Sequence, residues 1–462
     1  MAVWALISAA LATGIGLVLV ALLAPAERWA GGRVLRLTLA LPFGIGVSSA
    51  AFFWSLITGI SHLEIEAVLV VVGLLVGWRI GLPAAGSSAP GGAGPAGSGD
   101  TLIGHLFLLL AAADAGVFAW WSAKFPSGGW DGWAIWNQRA RFLYEAGDSW
   151  RSAFSPALHW SHTDYPLLVP ATVARAWRDL GRETTLVPVL LAAGFAIAVA
   201  ALLVASLGAL RGRGHGLAAG ALLLATPAFV RYAASQYADV ELSYFILATI
   251  VLQCVAGGSP APERWLALAG IAAGLAAWTK SEGLLWVVAA AAALAPVRTV
   301  AADGKTRLKR IGAFLAGACP FLLTVLYFRR SVVISWYFLG QNGTPQIGEN
   351  LRDIHRYRMV AEAFAGQIWR FGSPLLSPVI FLAGYLLLSG IGVARRHRPG
   401  LATAGLALSL TAAGYYAIYM LTPEDPRWLL GTSLDRLCLQ LWPGVLFTAV
   451  VGAGAIGRPD KA

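Results

Sequence analysis

The sequence predicts an all-α polytopic membrane protein. Hydrophobic residues make up 58% of the chain and charged residues only 12%, against about 25% charged in an average soluble domain. The apolar residues gather in repeated runs of about 17 to 25, the length that crosses a hydrocarbon core of roughly 30 Å. The two-residue alternation of a membrane barrel strand is absent.

Thirteen spans are expected, at about 3–24, 36–59, 66–82, 101–121, 185–208, 215–231, 238–256, 265–279, 283–297, 311–328, 374–393, 401–421 and 437–456. The first lacks a basic n-region, so it reads as a retained helix and not as a cleaved signal peptide. Loop charge then alternates along the chain. Arg28, Arg33 and Arg36 follow the first span, and Arg211 and Arg213 separate the fifth from the sixth. Arg298, Lys305, Arg307, Lys309 and Arg310 follow the ninth, and Arg395, Arg396 and Arg398 the eleventh. The positive-inside rule makes that face cytoplasmic, with the N-terminus outside and the C-terminus inside. The net charge of +11 is therefore loop charge and implies no nucleic-acid partner. Of the 34 basic residues 29 are Arg, which fits a GC-rich bacterial genome. Cys254, Cys319 and Cys438 lie in apolar runs without metal-ligand spacing and read as small core residues.

The segment 83–100, rich in Gly, Ala, Pro and Ser, reads as a flexible cytoplasmic linker after three N-terminal helices in 1–82. The polar mass gathers on the outer face, in loops 122–184 and 329–373 and the charged stretch 422–436. Loops of that length carry function more often than mere connection.

The first of these contains GGWDGWAIWNQRARF, residues 128–142, with three tryptophans around one carboxylate. Trp133, Trp136, Ala140 and Leu143 fall at helical spacing, the pattern of an amphipathic helix lying at the membrane interface. A second such helix is expected from Pro166. Asp131 has two readings: an N-cap for the helix that follows, or a base able to take a proton from an acceptor hydroxyl. Between the helices, His159, His162 and Asp164 have spacing that suits a divalent metal.

Further charges sit at span ends. Asp239 and Glu241 open the seventh span, where a carboxylate is costly enough to signal function, although acids also suit a helix start. Lys280 and Glu282 interrupt an apolar region, either as a self-satisfied pair or with Lys280 facing an anion. Arg436 begins the last span, an expensive place for a guanidinium without a carboxylate or phosphate. Asp114 lies mid-span and suits a helix–helix hydrogen bond. Arg329, Arg330, Arg352, Arg356, Arg358 and Arg370 give the second outer loop a basic surplus. Such a surplus suits a substrate carrying a phosphate and a lipid tail.

Taken in order, GGWDGWAIWNQRARFLYEAG, HTDYPLLVPATVARAW, QYADVELSYF and WTKSEGLLW, supported by TSLDRLCLQLWP, resemble GT-C superfamily glycosyltransferases. The branch resembled is the bacterial one related to protein O-mannosyltransferases and lipid A aminoarabinose transferases. The resemblance covers 101–330 well and 331–456 loosely. It implies a GT-C-like core at 101–330, a C-terminal part at 331–462, and residence in the bacterial inner (plasma) membrane. It also implies inverting transfer of a sugar from a polyprenyl-phosphate carrier to a glycan, lipid or protein hydroxyl on the outer face. Asp131 takes the place of the catalytic base and Asp239 that of the family's second acid. Lys280, Arg436 and Arg139 are the expected donor-phosphate ligands. Trp130, Trp133, His162, Asp164, Tyr237 and Glu282 are the expected substrate lining. The resemblance fixes no cofactor, and a divalent metal fits the chemistry. Gly132 stands where the mannosyltransferases carry a second acid, and three extra helices precede the core. A transporter or flippase of a lipid-linked or anionic substrate is the rival class, and would set its polar groups near mid-membrane.

Overall fold

The computed structural model describes residues 2–24, 32–80, 98–145, 147–296, 304–333, 343–373 and 376–454. Among the described residues eighteen α-helices follow one another: α1 (Ala2–Leu23), α2 (Gly32–Thr58), α3 (His62–Arg79), α4 (Ser98–Lys124), α5 (Gln138–Glu145), α6 (Leu168–Leu180), α7 (Leu186–Arg211), α8 (Arg213–Leu224) and α9 (Pro227–Ala234). Then come α10 (Asp239–Ala256), α11 (Pro262–Thr279), α12 (Glu282–Ala293), α13 (Gly304–Ser331), α14 (Gly343–Asn350), α15 (Ile354–Arg370), α16 (Pro378–Ser389), α17 (Arg398–Leu421) and α18 (Pro426–Gly452). Among the described residues the only β-pairing is an isolated bridge between Ile391 and Ala453. The architecture is that of an α-helical polytopic membrane protein.

Eight described helices are long and apolar enough to cross a membrane, α1, α2, α4, α7, α10, α13, α17 and α18, with a ninth if α8 and α9, bent by 64°, form one broken span. The thirteen expected stretches all carry helix, but four fall short of that length and apolarity. Glu64 and Glu66 open α3, Glu263 and Arg264 open α11, and α12 and α16 have 12 residues each. The linker residues 83–97, with Arg28 and Arg298, lie outside the described residues, while 98–100 already belong to α4.

The centre of the bundle is α10, buried from Asp239 to Ala256, with α7, α9, α11, α17 and α18 packed around it. Close helix approach follows from small residues. A Cβ on Gly270 of α11 would collide with the Phe314 carbonyl of α13, and one on Gly317 with that of Ala267. Lipid tails are as apolar as leucine, so such contacts rely on backbone proximity and dispersion. By contrast, α4 buries only Ser122 among its described residues and exposes Leu102, Leu106, Leu108 and Leu109, a surface suited to lipid. Asp114 on α4 leaves Oδ2 without a partner, so the expected helix–helix bond does not form through that oxygen. Of the cysteines, Cys254 is buried but Cys319 is exposed, on a helix face the sequence assigned to the core.

The N-terminal helices are tied to the segment between α4 and α7. Arg175 of α6 donates through Nε and Nη2 to both oxygens of Glu66 on α3, at 2.6 and 2.5 Å, and through Nη2 to the Ser8 carbonyl at 2.9 Å. Ser8 Oγ donates to Asp179, which also meets His62 Nε2 at 2.9 Å. Both ends of the Arg175–Glu66 pair are buried. Glu66→Ala strands the guanidinium and is expected to cost about 3–5 kcal/mol, seen as a lower thermal midpoint in detergent.

Candidate active site

The loop after α4 is shaped by glycine. Gly128 adopts φ +82°, and a Cβ on Gly128 or Gly132 would stand 2.5 Å from the Ser235 carbonyl oxygen. Gly129 N donates to that same oxygen at 2.9 Å. Asn137 Nδ2 donates to Gln236 Oε1 at 2.6 Å, and Gln236 Nε2 to the Pro126 carbonyl at 3.0 Å. The loop is thus clamped onto the turn that leads into α10. Gly132–Asn137 forms a π-helical turn, and Asp131 before it makes no side-chain capping bond. Its carboxylate turns to α18 instead.

There, Arg436 Nη2 donates to Asp131 Oδ2 at 2.6 Å. The same guanidinium reaches Asp239 Oδ2 through Nη2 at 2.9 Å and Nε at 3.1 Å. The other oxygen of Asp239 accepts from Lys280 Nζ at 2.9 Å and Gln440 Nε2 at 2.6 Å. Lys280 also pairs with Glu282 Oε1 at 2.9 Å, and Tyr415 Oη donates to Gln440 Oε1 at 2.6 Å. Lys280 sits in extended backbone where α11 turns into α12. Gly283 permits that turn, since a Cβ there would strike the Ala276 carbonyl. Three carboxylates and two cations therefore share one cluster. Asp239 is fully buried and Lys280 3% exposed, whereas Asp131 and Arg436 are each 14% and Glu282 13% exposed. The accessible margin is Asp131, Arg436 and Glu282.

Aromatic rings floor the cluster. Arg436 lies over Tyr237 at 4.6 Å and Lys280 over Tyr165 at 5.5 Å. Tyr165 stacks between Trp136 at 5.5 Å and His162 at 4.9 Å. Burial, with Glu282 and Asp164 nearby, raises the Tyr165 phenol well above its usual value, so it stays a hydrogen-bond donor at neutral pH. Burial lowers His162 from its usual 6.5, against the pull of Asp164 and Asp131. The folded protein thus resists a proton that the unfolded chain accepts, and stability is expected to fall as pH drops below about 6.5. Melting temperatures from pH 7.5 to 5.5 check this, and His162→Gln should flatten the slope.

Several expected assignments change. Arg139 does not face the cluster: its buried guanidinium donates to the carbonyls of Ser161 and His162 at 2.9 Å and Tyr165 at 3.1 Å. It pins the loop that carries Tyr165, and burial lowers it to about 10, still cationic at neutral pH. Trp130 and Trp133 stack edge-to-face at 5.0 Å and remain exposed, while Trp136 and Trp177 are buried core. The segment packs through α6 against α1 and α2, and through its own helices against one another. Among the described residues no group of three His, Cys, Asp or Glu side chains is placed to hold a metal. His159 is exposed and Asp164 is buried with Oδ1 unpartnered. The arginines of the second long loop do not converge. Arg356 donates to the carbonyls of Tyr419 and Thr422, Arg358 pairs with Glu362 on the surface, and Arg329 meets Ser281. Sequence reasoning missed Gln440 and Tyr165. Gln440 was detectable as an amide one helical turn beyond Arg436 inside an apolar run.

No family model, no curated protein and no solved structure matches the chain.

Proposed function

We propose that the protein is a GT-C-like integral membrane glycosyltransferase of the bacterial inner membrane. It would cross the membrane thirteen times and move a sugar from a polyprenyl-phosphate carrier to an acceptor hydroxyl on the outer face. The observation that supports this most is the bridge at Arg436: one guanidinium joins a partly exposed carboxylate, Asp131, to a fully buried one, Asp239. Among the described residues these two carboxylates take three of its five donors, and the planar fork suits a phosphate.

Cleaving the anomeric C–O bond builds positive charge on the sugar and negative charge on the departing phosphate. Arg436 and Lys280 stabilise the phosphate, an effect worth several kcal/mol when the charges are held in place beforehand. Asp131 accepts the proton of the attacking hydroxyl. Attack comes from the face opposite the phosphate, so the anomeric configuration inverts. Asp239, with four donors on its two oxygens, acts as the anchor for both cations and not as a second base. Arg436→Lys keeps the charge and loses the fork. Its donor KM in proteoliposomes is expected to rise about tenfold, and an unchanged donor KM would remove Arg436 from phosphate binding.

A further inference from the structure

Two carboxylate oxygens at the edge of the cluster accept no hydrogen bond among the described residues. Glu282 opens α12, and its Oε1 accepts from Lys280 Nζ at 2.9 Å and Gln440 Nε2 at 3.5 Å. Its Oε2 is buried and unpartnered. Asp164 is 9% exposed, and its Oδ1 is likewise buried and unpartnered. Both carboxylates, together with Asp131, stand near the Tyr165 phenol, whose ring Lys280 overlies at 5.5 Å. The two oxygens thus flank one aromatic side chain beside the cations proposed to hold the phosphate.

Both acids are held in place. Arg139 donates to the carbonyls of Ser161, His162 and Tyr165, on either side of Asp164, and so fixes the backbone that carries it. Arg329 Nη2 donates to Ser281 Oγ at 2.8 Å, one residue before Glu282. Arg139 and Arg329 are each close enough to act on Asp164, yet neither bonds its Oδ1. A buried acceptor in that state is costly unless a ligand brings an O–H or N–H to it. A sugar presents hydroxyls around its ring, and a hydroxyl bonded to a carboxylate makes a charge-assisted bond, roughly twice as strong as a neutral one. The same acids repel a second negative charge beside Tyr165.

We propose that Glu282 Oε2 and Asp164 Oδ1 accept from two hydroxyls of the donor sugar, and that they select an uncharged sugar over a uronic acid. This specificity rests on the donor reading given above. The test is titration of the purified full chain in neutral detergent with polyprenyl phosphodiesters that differ only in the second ester group. That group is methyl, a neutral hexose (glucose or mannose) or glucuronate, so the phosphate charge is the same throughout. At least one hexose diester should bind about tenfold or more tightly than the methyl diester, and the glucuronate diester no more tightly than the methyl one. Glu282→Gln and Asp164→Asn should each lower the preference for hexose over methyl about fivefold, and the double variant should abolish it. The ratio is the readout because a general loss of structure weakens both diesters alike, and melting curves of the unliganded variants check that they are folded. Equal binding of hexose and methyl diesters by the wild type, a preference unchanged in either single variant, or glucuronate bound as tightly as hexose would overturn the sugar contacts and leave the donor reading standing. Failure of every diester to bind would overturn both.

Discussion

Asp131→Asn is expected to cut sugar transfer by about 10²–10⁴-fold, the range a positioned general base contributes. The asparagine carbonyl still accepts from Arg436, so the bridge of 2.6 Å has a replacement and the fold should survive. Only the capacity to take the acceptor's proton is lost. The loss should therefore appear in kcat, with donor KM nearly unchanged. Transfer at the wild-type rate would remove Asp131 from the chemistry. The role would then pass to Glu282, the other carboxylate at the accessible margin, whose Oε2 is buried without a partner.

The second large effect concerns the anchor. Asp239 is fully buried and accepts from Arg436, Lys280 and Gln440. Asp239→Ala leaves two cations beside an emptied position in the core, and is expected to destabilise the protein by about 3–5 kcal/mol. Arg436 keeps Asp131 and Lys280 keeps Glu282, so the loss falls short of two fully stranded charges. Adding Lys280→Met removes one cation and should recover about 0.5–3 kcal/mol as a coupling between neighbours. Thermal midpoints of wild type, both single variants and the double variant give the cycle. Strict additivity would mean that Lys280 and Asp239 do not depend on one another.

Much of this architecture was legible because hydropathy reports burial in lipid directly. The apolar runs located helices at all thirteen stretches, and the charges that interrupt α3 and α11 explain why fewer meet the length and apolarity of a span. The cluster was partly legible for the same reason. A charge at the edge of an apolar run is costly, so Asp131, Asp239, Lys280, Glu282 and Arg436 stood out, and the fold brings them together. Neutral residues give a weaker signal: Gln440 shows only as an amide inside an apolar run, and Tyr165 not at all. The π-helical turn Gly132–Asn137 departs from the regular 3.6-residue spacing expected there, and leaves Trp133 exposed while Trp136 is buried. Arg139 was misassigned because its partners are three carbonyls of a distant loop. No spacing rule foretells which backbone oxygens a folded loop will present.

The most direct test of the account is a single-turnover reaction in proteoliposomes. It uses a polyprenyl-phosphate sugar of defined anomeric configuration, with a membrane extract as acceptor source. A glycosylated product of inverted configuration, formed without carrier crossing the bilayer, is expected. A product of retained configuration would contradict direct displacement assisted by Asp131. Labelled carrier accumulating in the lumen with no sugar transferred would contradict the enzyme and point to transport.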